Sequence, residues 1–277
     1  MKSGVHACLS RRRSRVRIPS SPPNGQIAQS VEHLSEKQGV GSSILPLATM
    51  KKIIWKYLTF ALRLINPSLR AQIINFKYLA KDRAQYKSIK LGRPVDNKLN
   101  PIPWWTYPVI DYLNQFNFNE EIIFEYGPGN GTFWFVERGC KKIISIENEK
   151  NWYEELEAKK QKNQILIYKE NKDDYFSSIL NYDSTVLIID GKWRKENVEF
   201  ICANFEKINT NLKMIIIDNP DKFQLGELMK SITDSYDFIQ ADFFGFGPAF
   251  RGIGCTTVLL NSTNKVQRST EMIPHTK

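Results

Sequence analysis

From residue 107 onward, short apolar runs alternate with stretches whose apolar positions recur every three or four residues. Seven runs have strand character: EIIFEYG (121–127), KKIISIEN (141–148), QILIYKEN (164–171), STVLIIDG (184–191), LKMIIIDN (212–219), YDFIQADFF (236–244) and CTTVLLN (255–261). Helix-like stretches at 132–138, 150–160, 175–181, 194–208 and 224–233 fall between most of them. The runs are rich in Ile and Val and largely continuous, as befits strands covered on both faces of a parallel sheet. Strands and helices alternating at this spacing predict a doubly wound α/β domain with a mostly parallel, seven-stranded sheet. No helix separates the last two runs, so they are expected to form an antiparallel hairpin at one edge.

Upstream the pattern changes. KIIWKYLTFALRLI (52–65) places Ile54, Leu58, Ala61 and Ile65 near one helical face, with Lys56 and Arg63 off it. The stretch is too short and too charged to span a bilayer. It reads either as a basic interfacial helix on anionic lipid or as a helix packed on the domain with a solvated basic side. GRPVDNKLNPIPWW (92–105) reads as a Pro-rich linker. The expected organisation is an extension at 1–49, a basic helical segment at 50–93, the α/β domain at 94–265 and a disordered tail at 266–277.

Charge sharpens this division. The net charge of +10 over 277 residues suggests a polyanion binder until it is divided along the chain. Residues 1–49 carry a net +5, residues 50–93 a net +10, and residues 94–277 a net −5. The α/β domain is therefore acidic, and no specific nucleic-acid partner is expected. RRRSRVRIPSSP (11–22) contains Arg-Val-Arg-Ile-Pro, which codons reproducing the GGTTCGAATCC arm of tRNA genes would spell. With GQIAQSVEHLSEKQGVGSSILPLAT (25–49), the tract 1–49 resembles peptides from translated tRNA genes, which implies a start near Met50. The competing readings are a disordered basic arm and a transit peptide, since the tract is rich in Arg and Ser.

Cysteine and histidine usage narrows the chemistry. Cys8, Cys140, Cys202 and Cys255 include no C-x-x-C pair, which argues against a zinc or disulfide framework and suits a reducing cytoplasm. The histidines are His6, His33 and His275, so none lies between residues 50 and 270. A Ser-His-Asp triad or a His-ligated metal is disfavoured for the folded body.

Ligands of such sheets gather at the carboxyl ends of the strands. There the first strand enters EYGPGNGT, with Gly127, Gly129 and Gly131 at alternate positions. The nicotinamide fingerprint G-x-G-x-x-G requires glycine at 132, where this chain has Thr132. EYGPGNG instead resembles the first motif of class I S-adenosylmethionine-dependent methyltransferases, E/D-x-G-x-G-x-G, and the likeness runs through about residues 101–261.

The resemblance implies S-adenosylmethionine as cofactor, with Gly127, Gly129, Asn130 and Gly131 admitting its methionine portion and Glu125 facing its ammonium group. It assigns Glu147, twenty residues after Gly127, to the ribose hydroxyls, and Asp173 or Asp174 to the adenine amino group. A helix cap at Asp174 accounts for one of these two acids equally well. Asp190, Asp218 and Asn219 follow the fourth and fifth strands. They resemble the magnesium ligands of catechol-type O-methyltransferases, although their flanking sequences differ, and Asp190 also reads as cofactor-pocket lining. For the acceptor's proton the candidates are Asp190 and Lys192. Trp104, Trp105, Phe244, Phe246 and Arg251, in two aromatic stretches, are the candidate acceptor contacts. Trp134, Phe135 and Trp152 read as packing.

The expected activity is methyl transfer to a hydroxyl of a small molecule or glycan in the cytoplasm, with peripheral contact at the inner membrane face through 50–93. The rival readings are a nicotinamide oxidoreductase and a non-catalytic membrane-surface or interaction protein that keeps the fold.

Overall fold

The computed structural model describes residues 47–269. The reading of 1–49 as translated tRNA genes therefore lies almost wholly outside the described residues, as does the tail from 270 on. The chain divides near residue 61 into an N-terminal unit and an α/β body that begins at Leu62. Helix α1 spans Leu47–Ile65. Among the described residues, no helix is long and apolar enough to cross a membrane.

Within the body come helices α2 (Pro67–Lys77, ending in a π-turn through Asp82), α3 (Gln85–Leu91) and α4 (Tyr107–Leu113). Then β1 (Ile122–Tyr126), α5 (Asn130–Glu137), β2 (Lys142–Glu147), α6 (Lys150–Glu157), β3 (Gln164–Tyr168), α7 (Lys172–Ser177), β4 (Val186–Ile189), α8 (Arg194–Ala203), α9 (Phe205–Ile208), β5 (Met214–Asp218) and α10 (Gly226–Ser235) alternate. The chain closes with β6 (Phe238–Phe246) and β7 (Ile253–Asn261). The seven strands form one sheet in the order β3-β2-β1-β4-β5-β7-β6. Neighbours from β3 to β5 are parallel, and β7 runs antiparallel to both β5 and β6. This is the expected doubly wound, mostly parallel sheet with an antiparallel edge hairpin.

Strand periodicity divides the core in two. Phe124, Tyr126, Ile144, Ile146, Leu187, Ile189, Ile215 and Ile217 face α7, α8 and α10 on one side. Their alternates Ile123, Ile143, Val186, Ile188, Met214 and Ile216 face α4 and α5 on the other. Fully burying each such side chain contributes roughly 1.5–3 kcal/mol, which is why these runs settle as central strands. Trp134 and Phe135 are buried packing residues of α5, as their place in the sequence suggests.

Two segments depart from the expected organisation. Residues 92–105 do not behave as a free linker: Val95 and Trp105 are buried, and Val95 bridges to Pro101. Just before them, Ala84 and Ser88 are buried too, and the Ser88 hydroxyl and backbone N–H of Val95 bond each other. Residues 266–269 do not begin a disordered tail. Val266 is buried, and the backbone of 267–269 pairs with Gln115 and Asn117.

Candidate functional site

The parallel strands deliver their last residues to one edge, and the register decides which side chains meet there. Glu125, next to last in β1, pairs with Ser145 of β2. Its Oε2 accepts hydrogen bonds from the Ser145 hydroxyl (2.9 Å) and the Thr132 hydroxyl (2.7 Å). The Thr132 oxygen in turn accepts the backbone N–H of Gly129 at 2.9 Å. Thr132 thus ties the glycine turn to the buried acid. Burial drives the Glu125 carboxyl up to about 7, against these two bonds.

The turn's glycines are required for different reasons. Gly127 has φ +82, and a Cβ there would lie 2.4 Å from the Cα of Gly191 after β4, so the two loops touch through bare backbone. At Gly129 the backbone is extended, and a Cβ would meet nothing within 4 Å. That open direction is a cavity of ≈ 620 Å³, lined by the turn residues Gly127–Gly131, Glu125, Asp190, Asp218, Arg93, Trp104, Trp152 and Phe250 among others. Asn130 lines it too, while its amide donates to the Pro94 carbonyl (2.6 Å) and pins the 93–94 backbone against the turn.

Beyond the turn, one guanidinium organises the ends of β4 and β5. Arg194, at the start of α8, donates Nη2–H to Asp190 Oδ1 (2.7 Å) and to the Asp190 carbonyl (2.8 Å). Its Nη1 donates to Asp218 Oδ2 (3.1 Å) and to the Asp218 carbonyl (2.9 Å), and Nε to the Gly191 carbonyl (3.1 Å). All five donors are used. Trp105 Nε1–H donates to the other oxygen of Asp190 at 3.0 Å, and the Thr256 hydroxyl to Asp218 Oδ1 at 2.9 Å. Both carboxyls are nevertheless raised above the usual range. For Asp190 the main cause is burial; for Asp218 burial comes first and repulsion from Asp190 second.

This arrangement corrects the magnesium reading. The cation between Asp190 and Asp218 is Arg194, and Asn219 has turned to serve the same network. Its Nδ2 donates to Asp218 (2.7 Å) and its Oδ1 accepts from Lys222 (2.9 Å). Among the described residues, no group of three or more His, Cys, Asp and Glu is placed to hold a metal.

The remaining candidates divide. Glu147 ends β2 and is nearly buried; its Oε1 accepts the N–H groups of Asn148 and Glu149 (2.7 Å each), and it does not line the cavity. Asp173 and Asp174 are exposed in the first turn of α7, away from the cavity lining. The cap is neither of them but Asn171, whose Oδ1 accepts both of their N–H groups. Lys192 is exposed, 4.8 Å over the Trp193 ring and outside the cavity. Of the acceptor candidates, Trp104 lines the cavity with nearly half its surface exposed (47%). Trp105 is buried and positions Asp190 instead. Phe244 and Phe246 lie exposed on the edge strand β6, and Arg251 stands outside the cavity lining.

Sequence reasoning missed Arg194, Arg93, Phe250 and Lys222, which line the cavity, and placed Trp152 in the core. Trp152 in fact lines the cavity and donates Nε1–H to the Pro128 carbonyl (2.8 Å), bracing the turn. No local signal marked the guanidinium, since Asp190 lies outside the helix that Arg194 begins.

No protein-family model matches the chain, and no curated protein matches it in sequence. Solved structures with similar folds include an O-methyltransferase from Bacillus cereus in complex with S-adenosylhomocysteine. That match has 14% identity over 67% of this chain and 96% of the other, at a TM-score of 0.44. An O-methyltransferase from Streptomyces achromogenes involved in tomaymycin synthesis, in complex with S-adenosylmethionine, matches at 14% identity over 68% and 94%, TM-score 0.43. A dimethyladenosine transferase from Plasmodium falciparum matches at 13% identity and TM-score 0.42. That match covers 57% of this chain and spans 63% of the Plasmodium enzyme. These are likenesses of backbone course at low identity, and no chemistry rests on them.

Proposed function

We propose that this chain is an S-adenosylmethionine-dependent methyltransferase acting on a hydroxyl of a small molecule or glycan. The observation that carries the reading is the cradle after β1: a bare-backbone turn opening onto a cavity, with a buried, under-neutralised carboxylate behind it. A carboxylate at Glu125 is costly in that setting unless a positive charge comes to it. A ligand with an ammonium and a sulfonium supplies two. The residues fit such a cofactor: Gly127–Gly131 leave room for its methionine portion and Glu125 faces its ammonium group. Glu147 has one oxygen, Oε2, outside its own backbone bonds and suited to ribose hydroxyls.

When bound, the cofactor supplies an electrophilic methyl group, so the protein's task is chiefly alignment. Trp104 and Phe250 offer aromatic surface to an acceptor at the cavity wall. The acceptor hydroxyl gives up a proton, and we assign its uptake to Asp190, which lines the cavity. Trp105 and Arg194 fix its orientation, and burial raises its pKa above the usual carboxylate range, which makes it a stronger base than a free aspartate.

Calorimetry with S-adenosylmethionine, S-adenosylhomocysteine and NAD tests the reading. Binding of the first two without NAD supports it. NAD binding alone would move the chain to the oxidoreductases, and silence with all three would leave a non-catalytic protein.

A further inference from the structure

Helix α1 presents three adjacent stripes along its length. Lys52, Lys56, Thr59 and Arg63 recur at the spacing i, i+4, i+7, i+11, and so share one stripe. The next stripe is Ile53, Tyr57, Phe60 and Leu64, and the one after it is Ile54, Leu58, Ala61 and Ile65. Apart from Ala61, these two apolar stripes consist of large side chains that are between 40% and 82% exposed. Solvated helices keep such residues against a core. None of the three cations on the first stripe is in an ion pair among the described residues.

The charge pattern decides what covers this face. From Leu47 to Lys81 the chain has Lys51, Lys52, Lys56, Arg63, Arg70, Lys77 and Lys81 and no acidic residue; the first acid is Asp82. A second copy of the same helix would bring like charge against like charge. Nucleic acid would meet the cations and leave the aliphatic stripes in water. An anionic phospholipid surface satisfies both, with the cations at headgroup level and the apolar stripes in the acyl boundary. With Lys51, Lys52, Lys56 and Arg63 along it, α1 is not apolar enough to cross the bilayer.

We propose that α1 is an interfacial anchor that lays its Ile/Leu/Phe face on an anionic lipid membrane. This stands independently of the reaction catalysed by the α/β body.

The test is flotation of the full chain with phosphatidylcholine vesicles, with and without about 30% phosphatidylglycerol, at about 0.1 M and 0.5 M salt. The expected result is at least about tenfold stronger partitioning to the anionic vesicles, weakened by salt. An Ile54→Asp/Phe60→Asp variant should lose about tenfold or more of that binding. Lys52→Glu/Lys56→Glu should remove its preference for the anionic vesicles. These positions are exposed, so near-ultraviolet circular dichroism of the body should stay unchanged; milder Ile54→Ser and Phe60→Ser changes serve if it does not. The proposal is overturned if the chain ignores both vesicle types, if the variants float like the parent, or if polyuridylate binds in place of vesicles. A dimer in solution that Ile54→Asp dissociates would also overturn it, by showing that a second copy covers the face.

Discussion

At the amino ends of β1 and β5, the buried carboxylate of Glu121 faces a single cation, Lys213, at 3.0 Å. At the carboxyl ends of β1, β4 and β5, Asp190 and Asp218 share the Arg194 guanidinium, while the buried carboxylate of Glu125 has only the hydroxyls of Thr132 and Ser145 as partners. At the first edge the buried acid has a cation in contact; at the second Glu125 has none, and burial raises all three of the carboxyls there. A balanced pair can do no more than hold the strands together. A buried carboxylate with no cation in contact is held at an electrostatic cost that a cationic ligand would relieve, and Glu125 stands where open α/β sheets place their ligands.

The sharpest way to break this comparison is to remove the ion-paired cation from each edge. Arg194→Met should cost about 3–5 kcal/mol, because it leaves the buried Asp218 and the part-buried Asp190 facing each other with no cation between them. Lys213→Met should cost less, about 2 kcal/mol, since it strands one buried carboxylate and brings no second one against it. Urea denaturation at pH 8 reads both. The Arg194→Met deficit should shrink as the pH is lowered and the carboxyls protonate. Equal costs at the two edges, with no pH dependence, would remove the distinction between them.

Next in size is Gly129→Val. A Cβ there meets nothing within 4 Å and the backbone is extended, so the urea midpoint should stay near that of the parent. Affinity for S-adenosylhomocysteine should fall at least about a hundredfold, or about 2.7 kcal/mol, by calorimetry. Retained affinity would show that the cradle is not where the ligand sits. Gly127→Val is the contrast, since there the clash with Gly191 and the positive φ should damage the fold itself.

Smaller again is the pH response of Glu125. Its pKa is raised to about 7, so the folded protein keeps a proton that the unfolded chain releases above about pH 4.5. The stability this confers is therefore full below pH 4.5 and is lost as the pH rises toward 7. A ligand ammonium group favours the ionised form, so S-adenosylhomocysteine binding should weaken as the pH falls below 7. The slope should approach about tenfold per pH unit, or about 1.4 kcal/mol. Glu125→Gln should flatten that slope; a slope that survives the change would assign it to another group.

How much of this was legible in the sequence follows from the range of each interaction. The strands were legible because Ile and Val runs bounded by polar residues have few alternatives to a buried sheet. The acids at strand ends were legible for the same reason, since the end of a run fixes the edge to which its next residue is delivered. Arg194 was not, because its role depends on β4 and β5 lying side by side, and nothing within DGKWRKE says so. Trp105 bonds Asp190 from 85 positions away, and its aromatic neighbours suggested a pocket wall instead. The misplacement of Phe244 and Phe246 was avoidable: in FIQADFFGF they share the parity of Gln240 and Asp242, the exposed side of an edge strand. The magnesium reading failed because carboxylates and an amide at strand ends suit a metal or a guanidinium equally, and only packing chooses between them.

The smallest effect separates two roles for the acids of α7. Asn171 caps the helix through Oδ1, accepting from Asp173 N–H at 2.8 Å and Asp174 N–H at 3.2 Å. Asn171→Ala should therefore cost about 1 kcal/mol of stability, with ligand affinity unchanged. Asp173 and Asp174 themselves sit in the first turn, where their charges favour the helix dipole by only about 0.3–1 kcal/mol each. If neither does more than this, Asp173→Asn and Asp174→Asn will shift the urea midpoint slightly and leave S-adenosylhomocysteine affinity alone. If one of them reaches the adenine amino group when ligand binds, that variant alone will lose affinity while its stability hardly moves. The two outcomes differ in which measurement responds, so an effect this small still decides whether the cofactor site extends past β3.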